Sequence, residues 1–363
     1  MNLYVHIPYC VSKCNYCAFY SVPVDDSISS YHALVRREIE LRGLSDSTPK
    51  TVYIGGGTPS ILGHSGIRDL FSVLPLPANG AEISMEVNPG DVTSELASVM
   101  SACGINRVSI GAQSFDDACL EFLGRRHSVA AVSVAVSRLR HAGFDNIGLD
   151  LIAAVPGFGA DSLRRSVESA LELGPKHVSV YSLSIESGSK FDKGVVAGAI
   201  RPVPDEESLE QLAVAESVLC HAGLRRYEIS NYAVAGYECR HNLAVWRGED
   251  YAGAGPAAAS RLGLCRRVNT ASLRKWRESM EAGNLPPAEV EHLSEYDDDL
   301  ERFVTGLRLA EGQSVDPATE LGRKRLEIFR RLERVGVVHR LASGAYALTS
   351  RGIEVADAVM AEF

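Results

Sequence analysis

The chain has 363 residues, of which 45% are hydrophobic and 23% charged; this is an ordinary globular composition with room for a large core, and it excludes a disordered chain or a small stapled one. A net charge of -9 suits neither neutralising nucleic-acid phosphates nor sitting on an anionic membrane. No run of about 18 apolar residues could span a bilayer, and Met1 to Pro8 lacks the basic start of a signal peptide, so a cytoplasmic protein with no integral membrane segment is expected.

In chain order, short runs rich in Val, Ile and Tyr alternate with longer stretches of helical period. Strands are predicted at Leu3–Ile7, Thr51–Ile54, Ile83–Val87, Arg107–Ile110, Asn146–Leu151 and His177–Ser182. Helices are predicted between them at Ser29–Arg42, Ser65–Leu74, Thr93–Ala102, Val129–Ala142 and Asp161–Leu173, the third and fourth closing at Gly104 and Gly143. This alternation argues for an α/β fold around a parallel sheet. A long helix follows at Glu206–Ala222, then Tyr227–Ser230 and a loop-rich stretch to Leu264. Leu285–Glu291, with Pro286 and Pro287, reads as a linker. Beyond it, helices at Asp297–Arg308, Leu321–Val335 and Gly352–Met360, with a hairpin of Val337–His339 and Ala345–Leu348, resemble a winged-helix unit.

Eight cysteines are too few for a disulfide framework in a chain of this length. Three of them form Cys10-Val-Ser-Lys-Cys14-Asn-Tyr-Cys17, directly after the first strand, while Cys103, Cys119, Cys220, Cys239 and Cys265 are scattered and read as ordinary small thiols. Three thiolates on one tight loop can hold three corners of an iron–sulfur cubane and leave the fourth iron open. A structural zinc ion would want four closed ligands, and only His6 is near as a fourth.

Gly55-Gly56-Gly57-Thr58-Pro59-Ser60 follows the second strand. Consecutive glycines let backbone amides and carbonyls approach a ligand closely, and the Gly-Lys-Ser/Thr ending of a phosphate-binding loop is missing. Glu86, Gln113, Arg125 and Asp150 each read singly as surface or capping residues. The cysteine loop, the glycine loop, Glu86, Gln113 and Asp150, however, fall at or just beyond the C-terminal ends of predicted strands, where parallel sheets bind ligands. One shared ligand explains that placement.

Together these segments resemble the radical S-adenosylmethionine superfamily. More narrowly, His-Ile-Pro-Tyr-Cys, Gly-Gly-Gly-Thr-Pro-Ser, Ser-Ile-Gly-Ala-Gln-Ser-Phe, Leu-Gly-Arg-Arg-His, Tyr-Glu-Ile-Ser-Asn-Tyr and His-Asn-Leu-Ala-Val-Trp resemble the HemW haem chaperones, relatives of the oxygen-independent coproporphyrinogen III oxidase HemN. The resemblance runs from Leu3 to the C-terminus. It implies a partial parallel (β/α)6 barrel at residues 1–200, an extension at 201–290 and a winged-helix-like α+β domain at 291–363. It implies a [4Fe-4S] cluster on Cys10, Cys14 and Cys17 that chelates S-adenosylmethionine through the open iron. Gly56, Gly57 and Thr58 would meet the amino end of that ligand, and Glu86, Gln113, Arg125 and Asp150 its ribose and carboxylate. Tyr4 matches an aromatic of the same site, and Tyr16 the residue whose backbone lies near the adenine. One electron into the sulfonium would release methionine and a 5'-deoxyadenosyl radical.

In the oxidases a further cysteine follows the third ligand by two positions; here that residue is Phe19, which argues for the haem-handling branch. His241-Asn242-Leu243-Ala244-Val245-Trp246 resembles the family's H-N-x-x-Y-W motif, with Val245 in place of the tyrosine, so His241 and Trp246 are expected to meet haem. The resemblance therefore implies haem as cargo and haem-acceptor proteins, respiratory ones among them, as partners, and no nucleic acid. The alternative is a radical oxidoreductase or methylase acting on a porphyrin.

Overall fold

The computed structural model describes residues 1–363. Six strand–helix units open the chain. Their strands are β1 (Asn2–Ile7), β2 (Thr51–Gly56), β3 (Glu82–Val87), β4 (Arg107–Gln113), β5 (Ile147–Ala153) and β6 (His177–Ser182), each hydrogen-bonded in parallel to the next. The intervening helices are α1 (Tyr31–Leu41), α2 (Gly63–Phe71), α3 (Ser94–Ala102), α4 (Asp117–Leu123), α5 (Val129–His141) and α6 (Ala160–Glu172), followed by α7 (Lys190–Val196) and α8 (Asp205–His221).

Every one of the six strands alternates. Leu3, Val5, Ile7, Val52, Ile54, Ile83, Met85, Val87, Val108, Ile110, Leu149, Leu151, Val178 and Val180 belong to one buried core with the apolar stripes of the helices. Each such aliphatic side chain contributes roughly 1.5–3 kcal/mol by leaving water. The opposite face carries Asn2, Tyr4 and His6, then Thr51, Tyr53 and Gly55, then Glu82, Ser84 and Glu86, then Arg107, Ser109, Gly111 and Gln113, then Asp150, and His177 and Ser179. A closed barrel built only for stability fills its interior with Val, Ile and Leu. The interior face here is polar instead, the lining a ligand chamber would need.

The sheet is longer than the six units. Beyond α8 come β7 (Arg225–Glu228) and β8 (Asn231–Ala233), then α9 (Arg240–Trp246), β9 (Tyr251–Ala254), β10 (Ala259–Leu262), β11 (Cys265–Asn269), α10 (Leu273–Glu281) and β12 (Ala288–His292). The strand order is β12-β11-β10-β9-β1-β2-β3-β4-β5-β6-β8-β7. The stretch expected to be loop-rich thus holds α9, β9 and β10, and β9 lies parallel on the free edge of β1. The expected linker at 285–291 runs into β12, which pairs antiparallel with β11 from Cys265↔His292 to Asn269↔Ala288.

The C-terminal unit comprises α11 (Glu295–Gly306), α12 (Glu320–Arg334), the hairpin of β13 (Val338–Arg340) and β14 (Tyr346–Leu348), and α13 (Ser350–Glu354) and α14 (Ala356–Met360). It has its own core, centred on Phe329 stacked at 4.4 Å on Tyr346. The single helix expected at its end is two, broken at Val355. No helix is long and apolar enough to cross a membrane.

Candidate functional site

The cysteine loop leaves β1 and is tied down from both sides. Asn15 is its inner anchor: its backbone N–H donates to Leu123 O (3.0 Å), its side-chain amide to Phe122 O (2.8 Å), and its own carbonyl accepts from Phe191 N (3.0 Å). Two of these bonds satisfy carbonyls left open at the C-terminus of α4. Gly124 ends α4 at φ 73, and a Cβ there would lie 2.9 Å from the Asn15 amide, so this position needs both the left-handed conformation and the missing side chain. The residue after it is Arg125.

On the other side, Gly57 N donates to Ile7 O (2.7 Å) and Thr58 N to Tyr9 O (2.9 Å), pinning the glycine loop against the start of the cysteine loop. A Cβ on Gly57 would fall 2.6 Å from Tyr9 O and 3.1 Å from Cys10 Sγ. Thr58 Oγ1 lies 3.4 Å from Cys10 Sγ, and Arg125 Nη1 donates to Cys14 Sγ at 3.3 Å. Cys10, Cys14 and Cys17 are half-buried free thiols. No three His, Cys, Asp or Glu side chains converge on one ion. Both nitrogens of His6 are committed. Nε2 donates to Tyr20 O (3.0 Å), which leaves Nδ1 to accept from the Tyr4 hydroxyl (3.1 Å), so His6 is not free to complete a zinc site.

Around this rim the chamber gathers the other expected residues. Glu86 accepts from Tyr53 OH (2.9 Å) and Gly56 N (3.3 Å); burial, then the charge of Asp150, pushes its carboxyl up to about 7. Arg125 Nη2 donates to Asn88 Oδ1 and Gly111 O, both 2.9 Å, while its Nε is sealed without a partner. Gln113 takes φ 67 at an irregularity in the β4–β5 ladder, and its side-chain amide lies beside Arg125 over Gly111. Asp150 sits within β5, which continues to Ala153, and not at a strand end as expected. Its carboxylate accepts from Ser179 (2.7 Å) and Ser109 (3.1 Å). Tyr16 packs with Phe122 and Phe158 beside the loop. Phe19 is 71% exposed. A Cβ-free cradle at Gly57, a sulfur under a guanidinium and an unpartnered buried Nε fit a cluster with a chelated amino acid.

His241 stands at the other end of the chamber. Its backbone N–H and that of Arg240 donate to Glu82 (3.1 and 2.9 Å), so the first amides of α9 are capped by the residue that opens β3. Its ring lies 5.1 Å from that of Tyr53 and 6.4 Å from that of Tyr4. Its tautomer follows from its neighbours. Asn2 Nδ2 donates to Asp250 O (3.1 Å), so Asn2 Oδ1 must receive the Thr51 hydroxyl proton (2.9 Å). Thr51 has no second proton, so His241 Nδ1 donates to Thr51 Oγ1 (2.8 Å) and Nε2 keeps a bare lone pair. Nε2 has no protein partner and, unlike Nδ1 of His127 and His177, is not sealed from solvent. Burial, then the charge of Arg107, pushes the imidazole down to about 4, so it is neutral. Trp246 is not brought to the same place: it ends α9 beneath Arg308, whose guanidinium lies 4.3 Å over its ring.

Tyr53, Asn88, Ser109, Ser179, Thr51 and Glu82 escaped the sequence reading. For all but Asn88, which follows β3, the only signal was inward polar alternation on strands whose other positions are apolar.

A family model described as the radical SAM superfamily matches residues 4–170. The protein named Heme chaperone HemW in Bacillus subtilis is 32% identical over 376 residues, covering 100% of this chain and 98% of its own length. The one of that name in Mycobacterium tuberculosis is 34% identical over 99% of this chain and 93% of its own, and that in Escherichia coli 37% identical over 71% and 69%. Among solved structures, the coproporphyrinogen III oxidase HemN of Escherichia coli superposes with a TM-score of 0.85 over 99% of this chain and 89% of that one, at 20% identity; this likeness is one of fold.

Proposed function

The chain belongs to the radical S-adenosylmethionine superfamily and, within it, to the HemW family of haem chaperones, and from that premise we propose that it binds haem and passes it to acceptor proteins, respiratory ones among them. One observation carries the reading: a neutral histidine whose Nδ1 proton is held by Thr51 presents a bare Nε2 to a polar chamber. Ligation of haem iron needs that state, and a hydrogen bond from the distal nitrogen is how proteins orient such a ligand.

At the rim, Cys10, Cys14 and Cys17 would hold a [4Fe-4S] cluster. Gly56, Gly57 and Thr58 would meet the amino end of S-adenosylmethionine. Glu86, Gln113, Arg125 and Asp150 would hold its ribose and carboxylate, with Tyr4 and the backbone of Tyr16 beside it. Arg125 suits a carboxylate because its planar fork donates in pairs. The bound cluster supplies one-electron chemistry to the sulfonium; the chain's own residues orient the nucleotide and exclude water.

Anaerobic titration of haem into the reconstituted protein, with His241→Ala and Thr51→Val alongside, tests this. The expected result is one haem per chain with the absorption of a histidine ligand, weakened about 10-fold or more in His241→Ala and less in Thr51→Val, which frees the ring to adopt the other tautomer. Equal binding by His241→Ala removes the ligand assignment. No binding by the unaltered protein removes the chaperone reading, and turnover of a porphyrin with 5'-deoxyadenosine release replaces it with the enzymatic one.

A further inference from the structure

Arg107 is the residue of the chamber with nothing to do. It opens β4 and is only 2% exposed. Its guanidinium makes no ion pair and no hydrogen bond, and Nε is sealed from solvent without a partner. Every other buried arginine of comparable depth has work: Arg261 pairs with Asp298 and Glu301, and Arg325 with Asp299. A cation taken out of water and left unpaired costs several kcal/mol, so a buried one is ordinarily matched by an anion. Glu82, Glu86 and Asp150 lie within range of the Arg107 charge but none reaches it with a hydrogen bond or an ion pair, Glu82 being engaged by the first amides of α9 and Asp150 by Ser109 and Ser179.

The register says where that anion would lie. Tyr4 pairs with Tyr53, Tyr53 with Ser84 and Ser84 with Arg107, so these four inward residues form one layer across β1 to β4. The ring of His241 rests on Tyr4 and Tyr53 in that layer. Arg107 is close enough to His241 and His177 for its charge to depress both imidazoles. Burial works against the guanidinium's own charge, but the acidic groups of Cys239, Tyr53, Glu82 and Tyr227 around it keep it protonated. An iron ligand with a free lone pair and a cation with free donors therefore lie within range of one another beside the same layer of the sheet.

We propose that Arg107 is the carboxylate anchor of the chamber, taking a propionate of the haem whose iron His241 ligates. The assignment rests on the haem reading and adds to it the reason a dicarboxylate macrocycle is selected over a neutral one. A planar guanidinium donates two parallel bonds to a carboxylate. An esterified propionate has no charge to offer and would leave the guanidinium without a direct ion pair.

The test titrates haem and haem dimethyl ester into the full-length protein and into Arg107→Met and Arg107→Lys. The unaltered protein should prefer the free acid by about 10- to 100-fold, the range of a charge-assisted hydrogen bond. Arg107→Met should bind both forms as weakly as the ester, keep the histidine-ligated absorption at saturation, and unfold in the ligand-free state at no lower temperature than the parent, since no hydrogen bond or ion pair of the guanidinium is lost. Arg107→Lys should recover part of the preference. An unchanged acid preference in Arg107→Met, or no preference in the unaltered protein, overturns the anchor while leaving the haem reading intact. Loss of ligand-free stability in Arg107→Met and Arg107→Lys alike makes Arg107 a structural residue and overturns it too. Binding of neither form by the unaltered protein defeats the haem reading itself.

Discussion

Glu86 is the residue whose charge state is most exposed to pH near neutrality. Its carboxyl stands at about 7 in the fold against 4.5 ordinarily, through burial and then the Asp150 charge. The folded chain thus keeps a proton that the unfolded chain loses between those values, and its stability falls as pH rises through that window. The sulfonium charge next to the ribose of the ligand favours the ionised form and acts in the opposite sense. S-adenosylmethionine should therefore bind more tightly at about pH 8 than at about pH 6, by up to roughly 10-fold, and Glu86→Gln should flatten that slope in equilibrium dialysis. A slope retained in the variant assigns it to another group. Glu86 was legible in sequence because it sits near a strand end in an unusual segment. Thr51 and Arg107 were not, because a lone polar residue opening a strand looks like an exposed one until both faces of the sheet are seen to be covered.

At the scale of elements, the glycine loop and the cysteine loop meet too closely for a side chain to lie between them. Gly57→Ala would place a methyl group 2.6 Å from Tyr9 O and 2.9 Å from Ile7 O, and backbone cannot step aside as a side-chain tip can. It should destabilise by about 1–3 kcal/mol, the cost of overpacking, and lower the iron and sulfide retained after reconstitution; thermal unfolding and metal analysis read the two effects. Full iron content in that variant would show the loops to be less tightly joined than this. The six strand–helix units could be read from sequence because each carries its own period. The edge strands could not. β9 is Tyr-Ala-Gly-Ala, low in intrinsic strand preference, and it becomes a strand by pairing with β1 some two-thirds of the chain away. β12 hid behind two prolines for the same reason, its partner β11 lying across α10.

At the scale of the molecule, two cores share one chain: the large one of the sheet and its helices, and the smaller one around Phe329. Phe329 is fully buried, so Phe329→Ala should cost about 3–5 kcal/mol, and the loss should fall on the C-terminal unit, seen as an early calorimetric transition with cluster content unchanged. A single cooperative transition would mean that the units unfold as one. Trp246 links them, lying under Arg308 at the end of the helix that also carries His241, which is why two neighbours in one sequence motif face different parts of the structure. Sequence alone determined the cysteine loop, the parallel α/β order and the family, since thiol spacing and hydrophobic period are local properties written within a few residues. Only the tertiary structure decided which polar side chains face the chamber, which proton His241 keeps and that Arg107 has no partner, because each of these depends on groups brought together by strand pairing across long separations.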